Sequence, residues 1–400
     1  MPPSSGPLAG FRVIDVTSVV LGPYATQMLG DMGADVIKVE PPRGDDTRWI
    51  GPSRSEGMGA YFANLNRNKR SIVLDLKQPV HRQALLRLAE TADVFVHNMR
   101  PGAAQRLGLD YASIGARNPR IVYASASGFR MGSSRQEAPS FDDLTQGLSG
   151  LAALNAGPDG APRYVPTVLV DKLTGHMLAS MVAMALVHRE RTGQGQEVHV
   201  PMLETTLSFL LAEHMWWATF GEPERGIGYP RMLSPNRRPY PTKDGFISVI
   251  ASSDAQYLRL FHALGRPELA EDPRFNTLGA RAKNIDALLA ILSEGLRSRS
   301  TAEWLAELTA ADIPCGKVNT LQDLAQDAYL QETGFFRQAQ HPTEGPVTVP
   351  SIAPEFSATP ASVRRLWPKL GEHTEEVLRE IGYGDAEIAP FLTKDRGVRS

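Results

Sequence analysis

The strongest constraint on the fold of this chain is an alternation near its start. Residues 11–17 (FRVIDVT) are a short apolar run rich in β-branched side chains. Residues 23–32 (PYATQMLGDM) read as helix, with Pro23 at a favoured first-turn position, and residues 35–40 (DVIKVE) are β-branched again. Strand, helix, strand is a βαβ unit, which predicts a parallel sheet covered by helices. The pattern recurs as a strand at 71–76, a helix at 79–92, a strand at 93–96, a helix at 101–107 and a strand at 120–125. The first turn lacks GxGxxG, so a Rossmann-like sheet here does not imply NAD.

Further along, residues 173–189 predict a strongly apolar helix, 191–200 a glycine-rich turn into a strand, and 202–220 a second long helix. Composition then changes. Residues 221–245 hold many Gly, Pro and Arg without periodicity, as a linker or functional loop would. A strand and amphipathic helices at 255–264, 279–298 and 301–310 read as a smaller α+β domain. Residues 314–365 read as irregular, and 372–381 and 385–393 as polar helices. Four hundred residues exceed one ordinary core, so two domains are expected. The expected division is 1–220 for the N-terminal part of a large domain, 221–245 for a linker or active-site loop and 246–325 for a small domain. Residues 326–400 are expected to return to the large one.

A formal net charge of -2 gives no electrostatic ground for a nucleic-acid or membrane partner. The single cysteine, Cys315, forms no intramolecular disulfide and favours a reducing, cytoplasmic setting. The first residues (MPPSS) lack the basic and apolar regions of a signal peptide, and the apolar run Met177–Val187 is about half of what a membrane span needs. It reads as a buried helix. The sequence has no GxSxG, P-loop or HExxH, and its histidines show no metal-ligand spacing, so no metal is expected.

Asp171 follows Val168-Leu169-Val170 and opens the apolar helix. It reads either as a helix N-cap or as a carboxylate that the helix N-terminus keeps ionised and presents to a ligand. Arg100 and Arg106 follow the strand at 93–96, where cations suit phosphate or simply meet solvent; Lys77 beside the strand at 71–76 reads the same way. Arg231, Arg237 and Arg238 in the irregular loop read as a grip for an acidic substrate or as solvated charges.

These segments resemble one family along almost the whole chain. GPLAGFRVIDVTSVVLGPYATQMLGDMGADVIKVEPPRGDDTR (6–48), NLNRNKRSIVLDLK (64–77), ADVFVHNMRPGAAQRLGL (92–109), NPRIVYASASGF (118–129), RTGQGQEV (191–198), DPRFNT (272–277), IPCG (313–316) and LGEHTEEVL (370–378) are similar, in order, to class III CoA-transferases of the formyl-CoA and carnitine CoA-transferase group. The resemblance implies a Rossmann-like large domain built from both chain ends, a smaller domain, and two subunits interlocked as a homodimer. It carries the catalytic aspartate onto Asp171. It carries CoA contacts onto Leu74, Lys77, Asn98, Met99, Arg100 and Arg106, and onto Pro139, Ser140, Phe141 and Asp142. Val20, Tyr61 and the three arginines are the implied substrate positions. Val20 replaces a glutamine of formyl-CoA transferase and Phe141 a tyrosine, and residues 232–245 lack its glycine run. The chemistry carries over, while these departures count against oxalate and formyl-CoA as the substrate pair.

The implied activity is transfer of coenzyme A from an acyl-CoA to a free carboxylic acid, with the arginines pointing to a second carboxylate on donor or acceptor, through acyl and CoA adducts of the aspartate. CoA is a substrate, no permanent cofactor is implied, and the loop at 226–241 is the expected lid. A 2-methylacyl-CoA racemase of the same superfamily needs two acid/base groups across the α-carbon. The histidine its relatives place before an aspartate is absent, since position 141 is Phe and no histidine lies between His97 and His176. A non-catalytic CoA-binding protein is the remaining alternative.

Overall fold

The structure, a computed structural model, describes residues 5–157 and 159–392. The first four residues, read above for a leader, and residue 393, read as the end of a helix, lie outside the described residues. The chain forms two compact units. One comprises residues up to Asn155, Pro162–Phe209 and Gly334 onward; the other comprises Ala156–Ala161 and Leu210–Thr333.

The first unit is an α/β fold on a six-stranded sheet: β1 (Arg12–Val16), β2 (Asp35–Glu40), β3 (Lys69–Val73), β4 (Val94–His97), β5 (Val122–Ser127) and β6 (Gln196–Pro201). The order is β3-β2-β1-β4-β5-β6, and every pairing is parallel. Side chains alternate across a strand, and both faces of this sheet are covered. Val13, Val36, Val94 and Val122 point to one face with helices α1 (Leu21–Asp31) and α5 (Leu169–Thr192). Their neighbours Ile14, Ile37, Phe95 and Tyr123 point to the other. There they meet α2 (Pro79–Glu90). Between α2 and α5 come α3 (Pro101–Leu107) and α4 (Asp142–Leu148), and α6 (Met202–His214) follows β6. Each fully buried Ile or Phe contributes on the order of 1.5–3 kcal/mol.

The helix α5 extends the expected 173–189 at both ends. By length and composition it is apolar enough to cross a membrane. Here Val170, Leu178, Val182 and Leu186 are buried in the sheet core.

Two expectations are corrected. Residues 314–365 are not all irregular: Phe336–His341 and Gly345–Pro350 pair as an antiparallel hairpin. The terminal helices Thr374–Glu380 and Asp385–Leu392 are not merely polar. Val377, Leu378, Ile388 and Phe391 are buried in the same cluster as Ile14 and Phe95.

The second unit holds a three-stranded antiparallel sheet, β7 (Tyr240–Pro241), β8 (Phe246–Val249) and β9 (Cys315–Lys317). Its helices Asp254–Ala263 and Thr301–Ala310 start at capping boxes on Ser253 and Ser300. Leu260, Phe261, Phe275, Leu288 and Trp304 form its core. The unit's main segment, Leu210–Thr333, begins inside α6, so residues 221–245 are part of it, with Tyr240–Pro241 as an edge strand.

Candidate active site

Strand order reverses between β1 and β4, and in open α/β sheets ligands bind at such a switch point, beyond the carboxyl ends of the strands. A cleft of about 200 Å³ lies there. Ser18–Leu21 after β1, Asn98 and Arg100 after β4, Ala126–Gly128 at the end of β5 and Met202 after β6 line it, with Ala138, Ser140, Phe141 and Asp171.

Asp171 reaches the cleft from the first turn of α5. Val168 is the N-cap, and it makes no side-chain cap bond. Asp171 therefore lies inside the helix, and the N-cap reading is corrected. The capping work falls to Asp142, whose carboxylate accepts the Asp171 backbone N–H at 3.1 Å and also the Gln146 side-chain amide. Gln146 in turn accepts the Val165 N–H at 2.9 Å, tying the approach to α5 onto α4. Gly175 sets the depth of α5. A Cβ there would lie 2.7 Å from the Leu21 carbonyl, so only glycine lets α5 come this close to the start of α1.

Among the described residues no hydrogen bond or ion pair engages the Asp171 carboxylate, which is 9% exposed. Burial, then the charges of Asp142 and Asp143, push its pKa up to about 7. This corrects the expectation that the helix N-terminus would keep it firmly ionised: the dipole favours a carboxylate, but desolvation and two neighbouring acids outweigh it.

The loop after β1 is held under strain. Val19 sits at φ +69°, a region a β-branched residue rarely adopts. Its N–H donates to Asp45 at 3.3 Å, and the fully buried Lys38 ammonium donates to Asp45 at 2.9 Å and to the Thr17 carbonyl at 3.0 Å. Asn98 closes the other side, accepting the Ser18 N–H at 3.0 Å and donating to the Ser18 carbonyl at 2.9 Å. Behind Asn98, His97 Nδ1 accepts the Met99 N–H at 3.1 Å, so Nε2 carries the proton and donates to the Tyr123 hydroxyl at 2.7 Å. That hydroxyl donates to the Leu109 carbonyl at 2.8 Å. Burial holds His97 neutral, with its pKa at about 4.

Of the residues singled out from sequence, Val20, Asn98, Arg100, Ser140, Phe141 and Asp171 meet in this cleft. Asp142 supports it from behind. Tyr61, on the short helix Ala60–Ala63, lies within electrostatic reach of Asp171 and Asp142, and burial and those carboxylates raise its phenol pKa. Five others do not line it. Leu74 is 1% exposed in the core, Met99 packs against that core, and Lys77, Arg106 and Pro139 are exposed. Arg231, Arg237 and Arg238 share a cavity of the second unit. Sequence reading missed Ser18, Val19, Gly128 and Met202. Their signal is positional: each lies within three residues after a predicted strand at or near the switch point.

The family model for CoA-transferase family III matches residues 8–374. The chain belongs to this family. It is 35% identical over 393 residues to a succinate–glutarate CoA-transferase of Agrobacterium fabrum, covering 95% of this chain and 97% of that one. It is 39% identical over 337 residues to an acetyl-CoA:oxalate CoA-transferase of Acetobacter aceti, covering 82% and 84%. Among solved structures, a CAIB/BAIF family protein from Brucella suis is similar with a TM-score of 0.79 and 33% identity, over 94% of this chain and 100% of that one. This chain is thus a CoA-transferase, an enzyme whose substrates are CoA thioesters and carboxylic acids.

Proposed function

We propose that this CoA-transferase moves coenzyme A from an acyl-CoA to a dicarboxylic acid, with Asp171 as the nucleophile. The observation that carries the reading is the buried, unpartnered Asp171 carboxylate in the switch-point cleft. An Asp171 oxygen attacks the thioester carbonyl; the C–S bond breaks, CoA leaves as thiolate, and an aspartyl–acyl anhydride remains. The thiolate attacks the aspartyl carbonyl, releasing the donor acid and leaving an aspartyl-CoA thioester. The acceptor carboxylate attacks the aspartyl carbonyl of that thioester; its C–S bond breaks, CoA leaves again as thiolate, and a second anhydride forms. The thiolate then takes the acceptor acyl group and frees Asp171. Each step exchanges bonds of similar energy, and no metal or redox group is required. Near neutral pH, a pKa of about 7 leaves both forms of Asp171 populated.

The acids named for the two relatives, succinate, glutarate and oxalate, each carry two carboxylates. Of the implied CoA contacts, Asn98, Arg100, Ser140 and Phe141 have the support of lining the cleft. The cleft is small against the roughly 300–1,000 Å³ of whole-ligand pockets, so it suits the thioester end alone. Leu74, Lys77, Met99, Arg106 and Pro139 are left as candidates for the nucleotide end. The racemase reading is disfavoured because, among the described residues, no histidine lines the cleft. An interlocked homodimer in the cytoplasm completes the proposal. Support for the dimer comes from Met184, Val187 and Phe209, 63%, 52% and 56% exposed in one copy. Light scattering would read a monomer's mass if that part is wrong.

The deciding experiment incubates the enzyme with succinyl-CoA and a pool of acids and reads new acyl-CoAs by mass spectrometry. Glutaryl-CoA that disappears in D171A is the expected result. Near-normal turnover by D171A would sink the nucleophile assignment. Deuterium entering a 2-methylacyl-CoA from heavy water, without exchange, would replace transferase by racemase.

A further inference from the structure

In the second unit a cavity of about 500 Å³ is lined by Arg231, Arg237, Arg238 and Tyr240, by Val249, Ile250 and Leu289, and by the Pro314–Gly316 strand start. Among the described residues, no acidic side chain lines it. The unit's other arginines are each paired with an acid: Arg225 with Glu222, Arg259 with Asp312, Arg266 with Glu268, Arg274 with Asp272, Arg281 with Asp254, Arg297 with Glu294 and Arg299 with Glu307. Among the described residues, the guanidiniums of Arg231, Arg237 and Arg238 have no such partner. Arg231 is half-buried and Arg237 and Arg238 are exposed at the cavity, so together they give it a positive potential that attracts an anion.

A second observation points the same way. Tyr240 is 5% exposed and lines the cavity, and its hydroxyl, which makes no hydrogen bond among the described residues, stays accessible to a ligand there. Arg231 and Arg237 are close enough to act on this phenol.

The wall is preorganised. The Ser234 hydroxyl bonds the Asp286 carboxylate, the Asn236 amide donates to the Asp286 carbonyl at 3.4 Å, and the Arg237 N–H donates to the Ser234 carbonyl at 3.0 Å. The arginine turn is thus anchored on the helix Ile285–Gly295. Binding there does not first require ordering the loop.

We propose that this cavity binds a short dicarboxylate, with the arginine forks on its carboxylates and Tyr240 donating to one of them. The methylenes between the carboxylates would lie on Val249, Ile250 and Leu289. Guanidinium forks match carboxylates bidentately, and several cations select two negative groups over one. The proposal deepens the reading of transfer to diacids and rests on it for the identity of the ligand.

The test titrates succinate, butyrate and inorganic phosphate into the full-length enzyme by calorimetry, and compares kcat/KM for glutarate over butyrate as acceptors. In R237Q/R238Q, succinate affinity and the glutarate-to-butyrate ratio should each fall about tenfold or more. Y240F, a milder change, should lose about threefold in both and keeps the test valid if the double variant does not fold. Unchanged succinate affinity and ratio in both variants would overturn the site, as would phosphate binding without succinate binding. D171A separates the two readings: succinate should still bind to it at the wild-type affinity while turnover is lost. If the wild type transfers CoA to no acid but binds succinate through these arginines, the site stands and the transfer reading falls.

Discussion

The Asp171 backbone N–H donates to the Asp142 carboxylate at 3.1 Å, so the acid that anchors the start of α5 also faces the acid in the cleft with like charge. Anchoring and pKa tuning are joined in one contact. Burial is the larger cause of the raised Asp171 pKa, and Asp142 adds to it. The pH profile of kcat/KM reports groups in the free enzyme. It should rise through about pH 7 as Asp171 ionises. Asp142→Asn keeps an oxygen for the N–H and removes the charge, so the acidic limb should move to lower pH, by up to about one unit. A limb that stays in place would assign the rise to another group.

The same raised pKa makes a stability prediction. A carboxyl at about 7 in the folded state, against an ordinary 3.8, favours its neutral form. That contribution is fully present below about pH 4 and is lost as pH rises through 7. Asp171→Asn is neutral at every pH. It should be inactive, yet more stable than the wild type at pH 8 by about 2–4 kcal/mol, with the difference shrinking toward pH 4. Urea denaturation at the two pH values reads this directly. A variant less stable at pH 8 would show that burial does not strain the Asp171 carboxylate.

The sheet was legible because β-branched runs such as DVIKVE recur with helices between them, and both predicted strand and observed strand occupy Asp35–Glu40. Asp171 was legible as a residue through the family resemblance, but its local role was not. The run Val168-Leu169-Val170 looks like a strand end, whereas the helix begins at Leu169. Asp142 lies 29 residues away in sequence, so no local signal joins the two. The hairpin at Phe336–Pro350 was hidden because four of its residues are prolines or histidine and half of its strand side chains are exposed, which blurs the alternation. Lys38 and Lys69 were invisible as core residues. Lys38 is buried against Asp45, across the turn that follows its strand, and Lys69 against Asp15, 54 residues away, and neither pairing is signalled by the strand pattern itself.

Gly175 offers a steric test of the helix position. An added methyl would meet the Leu21 carbonyl at 2.7 Å, and backbone cannot rotate away as a side chain can. Gly175→Ala should cost about 1–3 kcal/mol by overpacking, despite the better helix propensity of alanine. It should also push the start of α5 away from Val20 and lower kcat more than it raises KM. Gly147, also helical, has nothing within 4 Å of its added Cβ. Gly147→Ala should therefore be neutral or slightly stabilising, and equal melting temperatures for the two variants would refute the close approach.

His97 predicts acid sensitivity on the other side of the cleft. Its folded pKa of about 4 lies below the ordinary 6.5, because burial between Met99 and Tyr123 disfavours the charged ring. Stability from this group is therefore present above about pH 6.5 and is lost as pH falls through 4. A proton on Nδ1 would also remove the acceptor for the Met99 N–H, and with it the hold on the loop that carries Asn98. His97→Gln cannot take up that proton. The stability difference between wild type and H97Q should favour the wild type at pH 8 by about 1–2 kcal/mol for the lost hydrogen bonds and packing. It should then narrow, and pass through zero, as pH falls from 6.5 toward 4, since protonation costs only the wild type. Taking the difference cancels the carboxylates that titrate in the same window, Asp171 included. A difference that does not change with pH would mean that His97 titrates alike in the folded and unfolded chains.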